Sequence, residues 1–304
     1  MFVIKYRKIF YSISAILVIA SFVALFVWGL KPGIDFSGGS LIDIAYSTGT
    51  RPEVATVSAE LRVIDPAVSI RISGNDDFII RMKDLDQTEK ASVMSALSLN
   101  GAASTTVKAF DSIGPVLGSE ALRKAYISIL LVLVGIVLFI TFAFRKVSEP
   151  VSSWKYGLTA IVALAHDVII PAGVFAVLGH FAGYEVDTLF VTALLVVLGF
   201  SVHDTIVVFD RVRENLKNSG AHKSFSDVVG ESISQTFVRS INTSMTTLLA
   251  LVILYIFGGS STAHFTLVLI IGIAVGTYSS IFIGSPLLVT LEKWQAKRKL
   301  VAQK

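Results

Sequence analysis

Apolar residues run almost unbroken through six parts of the chain. Five of them, Ile9 to Leu30, Tyr126 to Phe144, Tyr156 to Gly179, Leu189 to Phe209 and Phe265 to Leu291, reach the roughly 18 to 20 residues that cross a hydrocarbon core of about 30 Å. The sixth, Ile241 to Phe257, is shorter. Between the first two runs the pattern changes. Ser40 to Ser47 alternates like a strand, Arg51 to Ile64 has helical spacing, and Val68 to Ser73 and Phe78 to Met82 read as strands around the turn-rich Gly74 to Asp77. A second helix, Gln87 to Leu99, and a strand, Thr105 to Phe110, follow. The order β-α-β-β-α-β is the ferredoxin-like arrangement, a small α+β domain that hosts many functions.

The expected architecture is therefore a polytopic α-helical membrane protein. It has a short N-terminus (1–8), transmembrane helices at 9–30, 124–144, 156–179, 187–210, 239–258 and 264–291, an inserted domain at 31–123, a connector at 211–238 and a basic tail at 292–304. The composition agrees: 53% of the 304 residues are hydrophobic, 16% are charged, and mean hydropathy is +0.73. Lys5, Arg7 and Lys8 precede the first run as in a signal peptide, but the run is too long and lacks an Ala-x-Ala site, so it reads as an uncleaved anchor.

Charge orients the spans. Arg145, Lys146 and Lys155, and then Arg211, Arg213, Lys217 and Lys223, make two connections basic, whereas 180–188 and 258–264 contain neither Lys nor Arg. Basic loops stay on the cytoplasmic side, so both termini, the tail with Lys293, Lys297, Arg298, Lys299 and Lys304 included, are placed in the cytoplasm and the inserted domain in the periplasm. The net charge of +4 conceals a split: Lys31 to Arg123 carries nine basic against twelve acidic residues, leaving +7 elsewhere. That excess suits an anionic leaflet and requires no nucleic acid. The chain has no cysteine, which excludes disulfides and thiolate metal sites.

Ionisable residues inside apolar spans are costly and mark function. His166 and Asp167 stand at the middle of the third span and His203 and Asp204 in the fourth, about 7.5 Å from its midpoint. No third ligand stands at compatible spacing, so the histidines read as hydrogen-bonding residues and neither metal nor cofactor is expected. In the fifth span Arg239, Asn242, Thr243, Thr246 and Thr247 recur at three- and four-residue spacing, a candidate lining for a water-filled path. Arg239 reads either as a cytoplasmic anchor or as a cation that reaches Asp204 along the helix, and Asp204, Arg239, His203, Asp167 and His166 together are the candidate proton pathway. In the sixth, Gly272, Gly276, Ser280 and Gly284 form a small-residue ladder for close helix packing, within the chain or against a partner. Phe225, Val228, Val229, Ile233 and Phe237 suggest an amphipathic surface helix in the connector. The segment Lys31 to Ser40, with Gly33, Asp35, Gly38 and Gly39, reads as a glycine-rich connector and matches neither the dinucleotide nor the Walker pattern.

Taken together, GIDFSGGS, ALAHDVII, GFSVHDTIVVFDRVREN, FVRSINTSMTT and LYIFGGSSTAHFTLVLIIGIAVGTYSS resemble the SecF family of bacterial export membrane proteins, within the proton-driven resistance-nodulation-division superfamily. The resemblance covers nearly the whole chain. It implies a non-enzymatic subunit of the inner membrane that works with SecD and the SecYEG translocon, with YajC as a further candidate partner. Such a subunit uses the proton-motive force to draw a translocating preprotein out on the periplasmic side. It also implies that Asp204 and Arg239 are the family's intramembrane aspartate and arginine, and that His203 stands where many relatives have asparagine. Two other classes remain: a small-molecule exporter half-unit of the same superfamily, and an intramembrane aspartyl protease using Asp167 with Asp204, which would need the two carboxylates to share a proton.

Overall fold

The computed structural model describes residues 2–47, 51–99, 101, 103–145, 153–219 and 223–302. Lys146 and Lys304, used above to orient the chain, lie outside the described residues. The chain divides into two compact units: Pro32–Tyr126, and Met1–Lys31 with Ile127–Lys304.

In the Pro32–Tyr126 unit, a short helix α3 (Ile34–Ser37) leads into β1 (Gly39–Tyr46), α4 (Val54–Leu61), β2 (Ser69–Ser73), β3 (Asp77–Met82), α5 (Gln87–Leu97) and β4 (Thr105–Ile113). The four strands form one antiparallel sheet in the order β2-β3-β1-β4, the ferredoxin-like topology. Period-2 alternation explains why one face is covered: Ile42 and Ile44 of β1 and Phe78 and Ile80 of β3 are fully buried with Val57 and Leu61 of α4 and Val93 and Leu97 of α5. Tyr46 adds a polar tie, its hydroxyl donating to Leu97 O at 2.9 Å while burial pushes the phenol up to about 12. The α5 start is set by a capping box in which Asp86 accepts from Glu89 N at 2.7 Å.

The glycine-rich connector is a packing device. Gly38 and Gly39 have φ of 72° and 119°, and a Cβ on them would lie 2.8 Å from Pro115 Cα and 2.6 Å from Met82 O. Backbone passes too close on both sides for any side chain. Asp35 lies within α3, and Gly33 precedes it as the N-cap.

The second unit holds α1 (Phe2–Lys5), α2 (Arg7–Val27), most of α6 (Pro115–Ala143), α7 (Ser153–Phe181), α8 (Thr188–Ser219), α9 (Phe225–Phe257), α10 (Ser260–Ser279), a π-helical turn at Ser280–Gly284, and α11 (Ser285–Ala302). Among the described residues six helices, with the last counted continuously from α10 to α11, are long and apolar enough to cross a membrane. Helices α7, α8 and α10 are the most enclosed; α2, α6 and the apolar half of α9 expose large side chains such as Phe26, Leu130 and Ile253.

One element differs from expectation. The connector is not a separate surface helix: α8 continues to Ser219, and α9 begins at Phe225 and runs unbroken to Phe257, with Ser224 as its N-cap. Phe225, Val228, Val229 and Ile233 are buried, and Phe225, Val229 and Ile233 join the core around Tyr156, Phe209 and Leu288. The apolar positions read as amphipathic were therefore the inward stripe of one long helix. Phe237 stays partly outside it, at 38% exposure.

Candidate functional site

A belt of hydroxyl and carboxyl groups crosses the bundle at the level of Gly276 to Ser280. Asp167, on α7, is fully buried; its Oδ1 lies 2.9 Å from His166 Nδ1, and its Oδ2 accepts from Ser201 Oγ of α8 at 2.5 Å and from Ser279 Oγ of α10 at 2.7 Å. Ser280, the next residue, meets Thr205 of α8, hydroxyl to hydroxyl, at 2.9 Å. Asp204 is 7% exposed and accepts from Ser240 Oγ of α9 at 2.6 Å through Oδ1, while Oδ2 has no partner among the described residues. One turn further along α9, Ser244 meets Thr277 of α10 at 2.5 Å. The two carboxylates thus differ in kind: Asp167 is held from three directions, and Asp204 from one.

The ladder of small residues makes this approach possible within the chain. A Cβ on Gly272 would lie 2.2 Å from Val197, and one on Gly276 would lie 3.1 Å from Ser201 Cβ and 3.6 Å from Asp167 Oδ2. Gly284 faces Thr205 and Ala163. Gly272, Gly276, Ser280 and Gly284 pack the sixth span on α7 and α8, which answers the question the spacing left open. The π-helical turn starts at the same point: its extra residue disrupts the local i→i−4 ladder, and Ser285 Oγ donates to Ser280 O at 3.1 Å.

The expected pairing of Asp204 with Arg239 does not form inside this chain. Arg239 is exposed, and among the described residues no ion pair links the two. Helical geometry gives the reason. Arg239 and Ser240 are about 100° apart, so when Ser240 turns inward Arg239 turns out. Asn242, Thr243 and Thr246 share that outward face and Thr247 is half-buried, its hydroxyl and that of Thr246 donating to Thr243 O. That face is thus turned away from this chain's own bundle, and the polar residues facing inward on α9 are Ser232, Thr236, Ser240 and Ser244, each four apart. His203 is exposed beside buried Asp204. No hydrogen bond joins Asp167 to Asp204, so the shared-proton geometry of an aspartyl protease is not formed. Sequence reasoning gave no site role to Ser201, Thr205, Ser240, Ser244, Thr277 and Ser279. A four-residue recurrence of small hydroxyls at 236, 240 and 244 was the available clue.

Among the described residues no group of three or more His, Asp or Glu could hold a metal ion.

The comparisons agree with one another. The profile of the SecD/SecF protein-export membrane protein, C-terminal part, matches residues 93–294, and the SecD/SecF GG motif matches residues 23–50. The protein translocase subunit SecF of Thermobaculum terrenum is 40% identical, with 95% of this chain and 93% of that protein covered. The SecF of Anaerolinea thermophila is 37% identical over 94% of this chain and 92% of that one. A crystal structure of SecDF from Thermus thermophilus, described as a translocon-associated membrane protein, superposes with a TM-score of 0.81 at 31% identity. The match covers 95% of this chain but 38% of the SecDF chain. Two domain matches, near-full-length relatives and the shared fold place this six-span chain in the SecD/SecF family of protein-export membrane proteins, as a SecF-type translocase subunit.

Proposed function

We propose that this chain is the SecF half of a proton-driven export motor in the bacterial inner membrane. It acts with SecD at the SecYEG translocon, with YajC as a further candidate partner, to complete translocation of a preprotein on the periplasmic side. Both termini lie in the cytoplasm and Pro32–Tyr126 in the periplasm. Asp204 is the group that takes up and releases the proton.

One observation carries the reading. On α9, a helix long enough to cross the bilayer, Arg239, Asn242, Thr243 and Thr246 face away from their own chain, next to a buried carboxylate with one oxygen unpartnered among the described residues. A polar face at that depth is costly against lipid and is found against a bundle or a wet cavity. The relatives of known structure carry this chain's counterpart as 38% of a longer SecDF chain, so a SecD-like bundle is the natural cover for that face. The covered cleft between them would hold water, Arg239 and Asp204 together.

In this scheme protonation removes the charge with which Asp204 accepts from Ser240 and attracts Arg239 across the cleft, α8 and α9 repack, and the motion reaches the periplasmic unit through α6. One charge crossing about 100 mV supplies roughly 2.3 kcal/mol. In vesicles containing SecD and this chain, Asp204→Asn should abolish proton-dependent export while leaving the two proteins associated. Full proton-dependent export by that variant would sink the assignment.

A further inference from the structure

The inner pair His166 and Asp167 is not needed to explain Asp204, yet it has the makings of a proton site of its own. His166 is 5% exposed and Asp167 fully buried. With its proton on Nδ1, the imidazole donates to Asp167 Oδ1 at 2.9 Å. Nε2 then holds a lone pair with no partner among the described residues. Buried polar atoms are nearly always bonded, so an orphaned ring nitrogen calls for a reason.

Electrostatics supplies one. With Asp167 ionised and His166 neutral, the pair carries a charge of −1 inside the bundle, and no lysine or arginine pairs with it among the described residues. Addition of a proton to the Nε2 lone pair leaves the Nδ1–H bond to Asp167 in place, breaks nothing, and gives a contact ion pair of zero net charge. Asp167 is built as the counter-ion, since Ser201 and Ser279 both reach its second oxygen. Ser279 also has an alternative acceptor in Gly276 O at 3.0 Å, so its hydroxyl can turn without leaving a proton stranded.

The titratable groups on the surrounding elements are few. Tyr278 of α10 stacks on the imidazole, with centroids 6.2 Å apart, and donates to Phe10 O of α2. Tyr11 of α2 bonds Thr290, and Asp204 of α8 lies one turn beyond Ser201. His203 on α8 and Arg239 on α9 are exposed.

We propose that His166, with Asp167 as its fixed counter-ion, is a second proton-binding site, seated between the third, fourth and sixth spans. It deepens the proton-driven reading above but does not depend on Asp204. Because Asp167 ties α8 through Ser201 and α10 through Ser279 just ahead of the π-helical turn, loading this site changes the charge at the junction of those three helices.

The experiment reads protonation directly, in the full-length chain reconstituted in lipid with [15N]histidine. The His166 resonances are assigned by their loss in His166→Gln or, should that variant not fold, by elimination using single replacements of the other four histidines. On acidification His166 should pass from the neutral Nδ1–H form to imidazolium. Asp167→Asn should move that transition to lower pH by roughly one unit or more, about a tenfold loss of proton affinity; Asp167→Glu, which keeps the charge, should largely restore it. The transition should persist in Asp204→Asn, so failure of the export assignment leaves this result standing. A His166 that stays neutral wherever the protein remains folded overturns the proposal, as does a transition unmoved by Asp167→Asn.

Discussion

Residue by residue, the chain sets carboxylates in environments that hydropathy alone does not separate. Asp204 and Asp167 both sit among apolar neighbours, but one is bonded by a single serine and the other by two serines and a histidine. Asp43 in the Pro32–Tyr126 unit is a third case. Its Oδ1 is buried without a partner among the described residues, and burial pushes the carboxyl up; Lys108 opposes this and Asp77 adds to it. An acid raised in the folded state contributes stability below its unfolded value near 3.9, and that contribution is lost as pH rises. Asp43→Asn should therefore raise the unfolding temperature of the Pro32–Tyr126 unit at pH 7, with the gain shrinking toward zero as the pH is taken below about 4; scanning calorimetry of the full chain at both pH values checks this.

At the scale of elements, periodicity is well written in the sequence and facing is less so. The alternation of Ile42, Ile44, Phe78 and Ile80 made the ferredoxin-like sheet legible, because one wrong register would expose the whole core face. For α9 the polar residues were visible, but two polar sets share the helix, Ser240 and Ser244 against Arg239, Thr243 and Thr246. Which set turns inward depends on the apolar stripe of Val229 and Ile233, two turns nearer the N-terminus and assigned to a different element. The continuity of the helix was the missing fact. Glycines were read correctly as special, but the backbone against them was beyond reach: Gly39 meets Met82 O from β3, more than forty residues away. Gly39→Ala adds a Cβ at 2.6 Å from that oxygen and places alanine at positive φ, and should destabilise the Pro32–Tyr126 unit by about 1–3 kcal/mol, measured as a lower unfolding midpoint with α7 to α10 unaffected.

For the whole molecule, composition and charge were enough to give the membrane class and six spans, while the partner surface was not legible. The α9 face proposed for it comes into view only once the fold shows which polar groups the chain leaves outside. That makes Thr243→Trp informative. Thr243 is exposed, so a large side chain there should leave secondary structure and thermal stability of this chain within about 0.5 kcal/mol of wild type. Co-purification with SecD should fall steeply, and so should proton-dependent export. Unchanged co-purification would remove α9 from the interface.

The π-helical turn at Ser280–Gly284 sets an unusual rule for length. A π turn stores one surplus residue and lets the helix continue in its former phase. Deleting Phe282, half-buried inside the turn, should regularise the span while Leu288 and Val289, both fully buried, still face the core. The same one-residue deletion at Ile271 would swing one side of α10 past the other by about 100° and drive Gly276 out of line with Asp167. Within this span, tolerance of a lost residue should be confined to those five positions, and a single-codon deletion scan scored by membrane expression would trace the turn without any structural measurement.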